Sequence, residues 1–212
     1  MSNDLLVEKS NGILKLIMNR PERRNAMSDE MLNDMLNELN KASFDNSIRV
    51  IVLTGAGNAF CAGGDVKDMA EKKDSGDKTT QQKTSDLRRV METSRLLHEI
   101  TTPTIAVIPG PAAGAGFSLA MACDMRIACE SSKFTTAFAK VGFPGDFGGS
   151  YFLTQMIGTA KARELYYLAE LMTAQKAYEI GIINKVIADN EFEDEVKKII
   201  THIASGPSIA YR

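Results

Sequence analysis

Three glycine-rich turns, each following an apolar run, are the places in this chain where chemistry is expected: Gly55-Ala56-Gly57 leading to Ala62-Gly63-Gly64-Asp65, Pro111-Ala112-Ala113-Gly114-Ala115-Gly116, and Gly145-Asp146-Phe147-Gly148-Gly149. Glycine and alanine let a ligand come close to backbone N–H groups, and three such turns in one chain suit a site built from backbone donors. The first turn resembles a dinucleotide fingerprint, but Phe60 stands where the third glycine would be, and no helix start follows. Ser118, in Gly116-Phe117-Ser118-Leu119-Ala120, half matches a nucleophile elbow. It needs a histidine, and His98 and His202 both read as surface or helix-packing side chains. Asp146 is a lone acid in an uncharged stretch. Two roles fit it: N-cap of the helix expected to start near Gly148, or a base whose pKa is raised by apolar neighbours.

The elements that must hold these turns are strands alternating with helices. Ile13–Ile17, Val50–Leu53, Thr104–Ile108, Met125–Cys129 and Ile183–Ile187 read as strands. Ser28 is a suitable N-cap for a helix with Met31, Leu32, Met35, Leu36 and Leu39 on one face. Leu87, Val90, Met91, Ser94 and Leu97 form a second helical stripe, which predicts parallel pairing of the strands at 50–53 and 104–108. Further helices are predicted at 115–123, 150–157, 160–169, 174–180 and 192–204. Residues 71–85 are polar and without a hydrophobic pattern, as expected of a loop or lid. The fold class is α/β in one domain.

Composition bounds the answer further. The 212 residues, 44% hydrophobic and 25% charged, suffice for a core and exclude global disorder. A net charge of −2, no tryptophan and no arginine-rich stripe speak against nucleic acid as a partner. The uncharged segment Thr101–Cys123 is long enough to span a membrane. Its Pro103, Pro109, Gly110 and Pro111 break it into strand, turn and buried helix. The N-terminus lacks the features of a secretory signal. Cys61, Cys123 and Cys129 form no metal-ligand pattern and cannot all pair within the chain, so no metal is expected and the compartment reads as cytoplasmic.

Asn19-Arg20-Pro21 with Asn25-Ala26, Leu53-Thr54-Gly55 with Phe60-Cys61-Ala62-Gly63-Gly64-Asp65, and Gly110-Pro111-Ala112 with Gly114-Ala115-Gly116 and Ala122-Cys123-Asp124 together resemble the crotonase superfamily, the enoyl-CoA hydratase/isomerase family. The resemblance runs from about Leu5 to the last residue. It implies a spiral of ββα units with a helical C-terminal region, homotrimers or dimers of trimers, and an acyl-CoA substrate worked on through a thioester enolate. The expected division is a spiral core over residues 1–195 and the start of the C-terminal region over 196–212, the rest of that region missing through truncation, disorder or loss. No cofactor is implied beyond the coenzyme A of the substrate.

By the same resemblance, the amides of Ala62 and Ala115 hold the enolate oxygen, the dipole of the helix from Ala115 adding to their field. Ala62, Gly63, Gly64 and Asp65 line the bent CoA, with Ala62 and Gly64 near the adenine. Arg23 and Arg24 meet its phosphates or form a plain solvated turn. Hydratases of the family hold water between two glutamates, and Ser118 and Phe138 occupy those positions here. The third turn is similar to that of isomerase-type members such as ring-epoxide acyl-CoA isomerases, which makes Asp146 the base of a double-bond isomerisation. The alternatives are hydration with an acid from Glu92 or the 71–85 loop, a hydrolase or dehalogenase with Asp146 as nucleophile, and a non-catalytic CoA- or RNA-binding homologue. Tyr151, one turn past Asp146, is a further residue that could face the acyl group. The acyl group itself is not legible from spacing.

Overall fold

In the computed structural model, residues 2–65 and 79–211 are described. The apolar runs form a six-stranded sheet in the order β1-β2-β3-β4-β6-β9, with β1 Leu5–Ser10, β2 Ile13–Met18, β3 Val50–Gly55, β4 Thr104–Ile108, β6 Met125–Cys129 and β9 Lys185–Ile187. β1 and β2 pair antiparallel, and every other neighbouring pair is parallel, including the anticipated β3–β4 pair. β1 was not among the expected strands. Its exposed polar residues, Glu8, Lys9 and Ser10, weaken the hydrophobic signal that marks the buried strands.

A second, three-stranded sheet sets β5 Ala112–Ala113 parallel to β7 Lys133–Thr135, which is antiparallel to β8 Met172–Thr173. The chain steps from the first sheet to the second between β4 and β5, and again between β6 and β7. Each step is one turn of a spiral. The segment Thr101–Cys123 therefore folds as strand, turn and helix, and no helix among the described residues is long and apolar enough to cross a membrane.

The helices close both faces of the large sheet. α1 Asp29–Ala42 is capped by Ser28, whose hydroxyl accepts from the Met31 amide at 3.1 Å, and it buries Met31, Leu32, Met35 and Leu39. α2 Thr80–Glu99 starts at a capping box between Thr79 and Gln82. Residues 80–85, expected in a loop, are thus its first turns, and the side chains of Thr79 and Gln82, not an apolar stripe, mark their start. Residues 71–78 of that expected loop lie outside the described residues. α3 Ala115–Ala122 is buried throughout, and α4 Gly149–Leu168 bends at Gly158, where the two expected helices meet. α5 Ala174–Glu179 and α6 Phe192–Ser205 follow, then a short α7 at Ser208–Tyr211. α6 lays Phe192, Val196, Ile200 and Ala204 on Val50, Val52, Ile105 and Ile127, opposite the main core. The expected division at residue 195 falls inside α6, which is part of the sheet's packing.

Candidate active site

The first two glycine turns are stitched together backbone to backbone. Phe60 donates to Pro111 O at 3.0 Å and Ala113 to Cys61 O at 2.9 Å. Gly116 sits so close to Cys61 that a Cβ there would meet the Cys61 carbonyl oxygen at 2.5 Å and its Cβ at 2.6 Å. The stretch 24–27 completes the seam, because Met27 donates to Gly63 O at 2.9 Å and Ala62 to Arg24 O at 2.9 Å. Asn25, fully buried, clamps it: its Oδ1 accepts from the Arg20 amide, and its Nδ2 donates to Ala56 O and Ala59 O, each at 2.9 Å.

These bonds separate the two expected donors. The Ala115 amide is the first of α3, and among the described residues it has no protein acceptor, like the first amides of helices generally. The Ala62 amide already has one, Arg24 O. Gly64, two residues on, has none among the described residues and lines the same cavity.

That cavity, about 400 Å³, is lined on one side by Arg23, Ala62, Gly63, Gly64 and Asp65, and on the other by Gly114, Ala115, Ala137, Phe138, Val141, Phe143 and Asp146. Arg24 is exposed and not part of the lining, while Arg23 is. Asp65 is buried and paired with Arg20 at 3.0 Å and Arg23 at 2.8 Å, so its carboxylate braces the N-terminal turn onto the glycine turn. Asp65→Asn is expected to lower unfolding free energy by about 1.5–3 kcal/mol, the loss of hydrogen bonds between charged groups. Urea unfolding of the two proteins checks it.

Asp146 has the environment of a base. Its side chain does not cap α4: the N-cap is Gly148, and the Gly149 amide bonds the Asp146 main-chain oxygen at 3.0 Å. Its Oδ1 is buried without a hydrogen-bond partner among the described residues, and desolvation pushes its pKa up to about 6. Tyr151, the tyrosine expected near it, is half-exposed and stands edge-on to His98 with ring centroids 6.2 Å apart. The tyrosine beside Asp146 is Tyr166, whose buried hydroxyl also has no partner and whose pKa rises to about 12 through burial and the Asp146 charge. Nothing in local spacing marks it, since it lies a full helix beyond the turn.

Ser118 is fully buried, its Oγ donating to Gly114 O at 3.3 Å, and neither histidine lines the cavity. Phe138 is cavity wall, and Glu92 pairs with Arg95 at 2.5 Å away from the lining. Cys61, Cys123 and Cys129 are buried free thiols.

The chain and its fold have counterparts among known proteins. A 1,2-epoxyphenylacetyl-CoA isomerase from Escherichia coli K12 is 35% identical over 208 residues, which are 98% of this chain and 79% of that protein. Crystal structures of a putative enoyl-CoA hydratase from Streptomyces coelicolor A3(2) and an enoyl-CoA hydratase from Mycobacterium avium subsp. paratuberculosis K-10 superpose with TM-scores of 0.91 and 0.88 at 31% and 29% identity. They cover 98% and 100% of this chain, which spans 75% and 82% of theirs. With residues 8–212 also matching the sequence pattern of the enoyl-CoA hydratase/isomerase family, the chain belongs to that family, the crotonase superfamily.

Proposed function

We propose that the protein isomerises the double bond of an enoyl-CoA thioester by a 1,3-proton shift, with Asp146 as its single acid–base group. The observation that carries this reading is the Asp146 Oδ1, buried without a partner in a cavity lined also by Gly64 and Ala115. Removing a proton beside a thioester puts negative charge on the thioester oxygen. The amides of Gly64 and Ala115 receive it, each donor of this kind contributing about 3–4 kcal/mol to lowering the barrier. Gly64 here replaces Ala62, whose N–H is occupied by Arg24 O. The carboxylate takes the proton at one carbon and returns it at the other, so no water is consumed and no second acid is required.

Arg23, at the cavity edge, and the exposed face of Ala62 suit the phosphate and adenine of CoA. Val141, Phe143, Phe138 and Ala137 make the acyl end apolar, which suits an unsaturated or aromatic acyl group. The experiment is incubation of 3-enoyl-CoA and 2-enoyl-CoA esters in ²H₂O and H₂¹⁸O. Interconversion of the two esters without oxygen-18 uptake is the expected result, with deuterium at the α- and γ-carbons only so far as the protonated Asp146 exchanges with solvent before it returns the proton. Oxygen-18 in a 3-hydroxyacyl product would replace this reading by hydration, and a trapped acyl-aspartate would replace it by nucleophilic catalysis.

A further inference from the structure

Two buried polar atoms at this site, Asp146 Oδ1 and the Tyr166 hydroxyl, have no hydrogen-bond partner among the described residues. Buried groups of this kind are rare in folded proteins, and two in one place call for a use. The Tyr166 ring is held firmly. It stacks on Phe138, the rings within 3° of parallel and 6.1 Å apart, and its Cε1 lies 3.0 Å from where a Gly145 Cβ would be. Its hydroxyl is 3.5 Å from that point and 2.7 Å from the corresponding point at Gly149. The hydroxyl is therefore flanked by both ends of the turn that carries Asp146. Glycine at 149 is what leaves it room, because a side chain there would also strike Ser118 Oγ at 2.2 Å.

We propose that Tyr166 is a positioning residue for Asp146: its hydroxyl donates to the Asp146 carboxylate once that group is ionised, holding the base turned toward the acyl chain. The inference rests on Asp146 being the base. A phenol is a donor at neutral pH and an apt partner for a buried carboxylate, since it stabilises the ionised form without adding charge. The groups packed around the hydroxyl are few. The turn supplies Asp146, α3 supplies Ser118, and the 138–141 segment supplies Phe138. Glu22, Arg23 and Asp65 line the cavity that Asp146 also lines, from the N-terminal turns. Ser118 Oγ already donates to Gly114 O, which leaves Tyr166 as the hydroxyl without an acceptor.

The test is Tyr166→Phe, which keeps the ring and its stacking on Phe138. The Asp146 carboxyl is titrated by ¹³C NMR in the free protein, and kcat/KM for enoyl-CoA isomerisation is followed from pH 5 to 9. Losing a hydrogen bond to the charged form is expected to move the Asp146 midpoint, and the acid limb of kcat/KM, upward by about one pH unit. Activity then recovers above pH 8. An unchanged midpoint, with or without a uniform fall in rate, overturns the proposal and leaves Tyr166 a packing residue. The NMR titration needs no turnover, so it decides the role of Tyr166 even if Asp146→Asn retains activity and the base assignment itself fails.

Discussion

Asp146→Asn is expected to lower isomerisation by about 10²–10⁴-fold, the usual contribution of one general base, while acyl-CoA affinity stays within a few-fold. Binding survives because the lining of the CoA end and the amides of Gly64 and Ala115 are untouched. The wild-type pH profile carries the same assignment. Asp146 must be ionised to accept a proton, and burial raises its pKa to about 6, so kcat/KM falls as pH drops below about 6. Stability moves the other way. The folded protein holds the Asp146 proton more tightly than the unfolded chain does, so this carboxylate penalises folding fully above about pH 6 and not at all below about pH 4. Asparagine removes the penalty, and Asp146→Asn should be more stable than wild type at pH 7, with the difference fading between pH 6 and 4. Thermal melts across that range, set beside steady-state rates with 3-enoyl-CoA, measure both. A variant that keeps full turnover, or loses stability at neutral pH, would overturn the assignment.

Gly116→Ala should be as damaging for a different reason. The added methyl would sit 2.5 Å from the Cys61 carbonyl oxygen and 2.6 Å from its Cβ, distances no real contact tolerates. Cys61 is fully buried and bonded through its carbonyl to the Ala113 amide, so it cannot swing aside. The two turns must part, and with them the amides of Gly64 and Ala115. A loss of about 10²–10³-fold in kcat is expected, equivalent to one oxyanion donor. Overpacking lowers stability by a further 1–3 kcal/mol or so. Stopped-flow rates and urea unfolding separate the two effects. Wild-type kcat in a folded Gly116→Ala protein would show that the spacing of the turns does not matter to the chemistry.

Much of the frame was legible in advance because it rests on local rules. Val50–Leu53 and Thr104–Ile108 are short apolar runs bounded by glycine or proline, and such runs become buried parallel strands wherever a helix separates them. Ser28 caps a helix because its hydroxyl reaches an amide three residues on. The start of α2 was less legible, since a capping box in a polar stretch leaves no hydrophobic pattern to read. β1 is half-exposed, which weakens the same pattern.

The order and spacing of the motifs carry the α/β class and, by resemblance, the crotonase pattern, with small residues in two turns and one acid in an uncharged third. These are matters of composition and order, and they survive without coordinates. Which groups keep an open hydrogen-bonding position follows from packing across the chain. Arg24 O, 38 positions before Ala62 in the chain, takes up the Ala62 amide and leaves Gly64 open, and Arg20 and Arg23 take up Asp65. Tyr166, twenty residues past Asp146, returns to its side through the bend of α4 at Gly158. Hydrogen-bond satisfaction and desolvation are properties of non-local packing. They cannot be read from spacing, and in this site they separate the groups that are already bonded from those without a partner among the described residues.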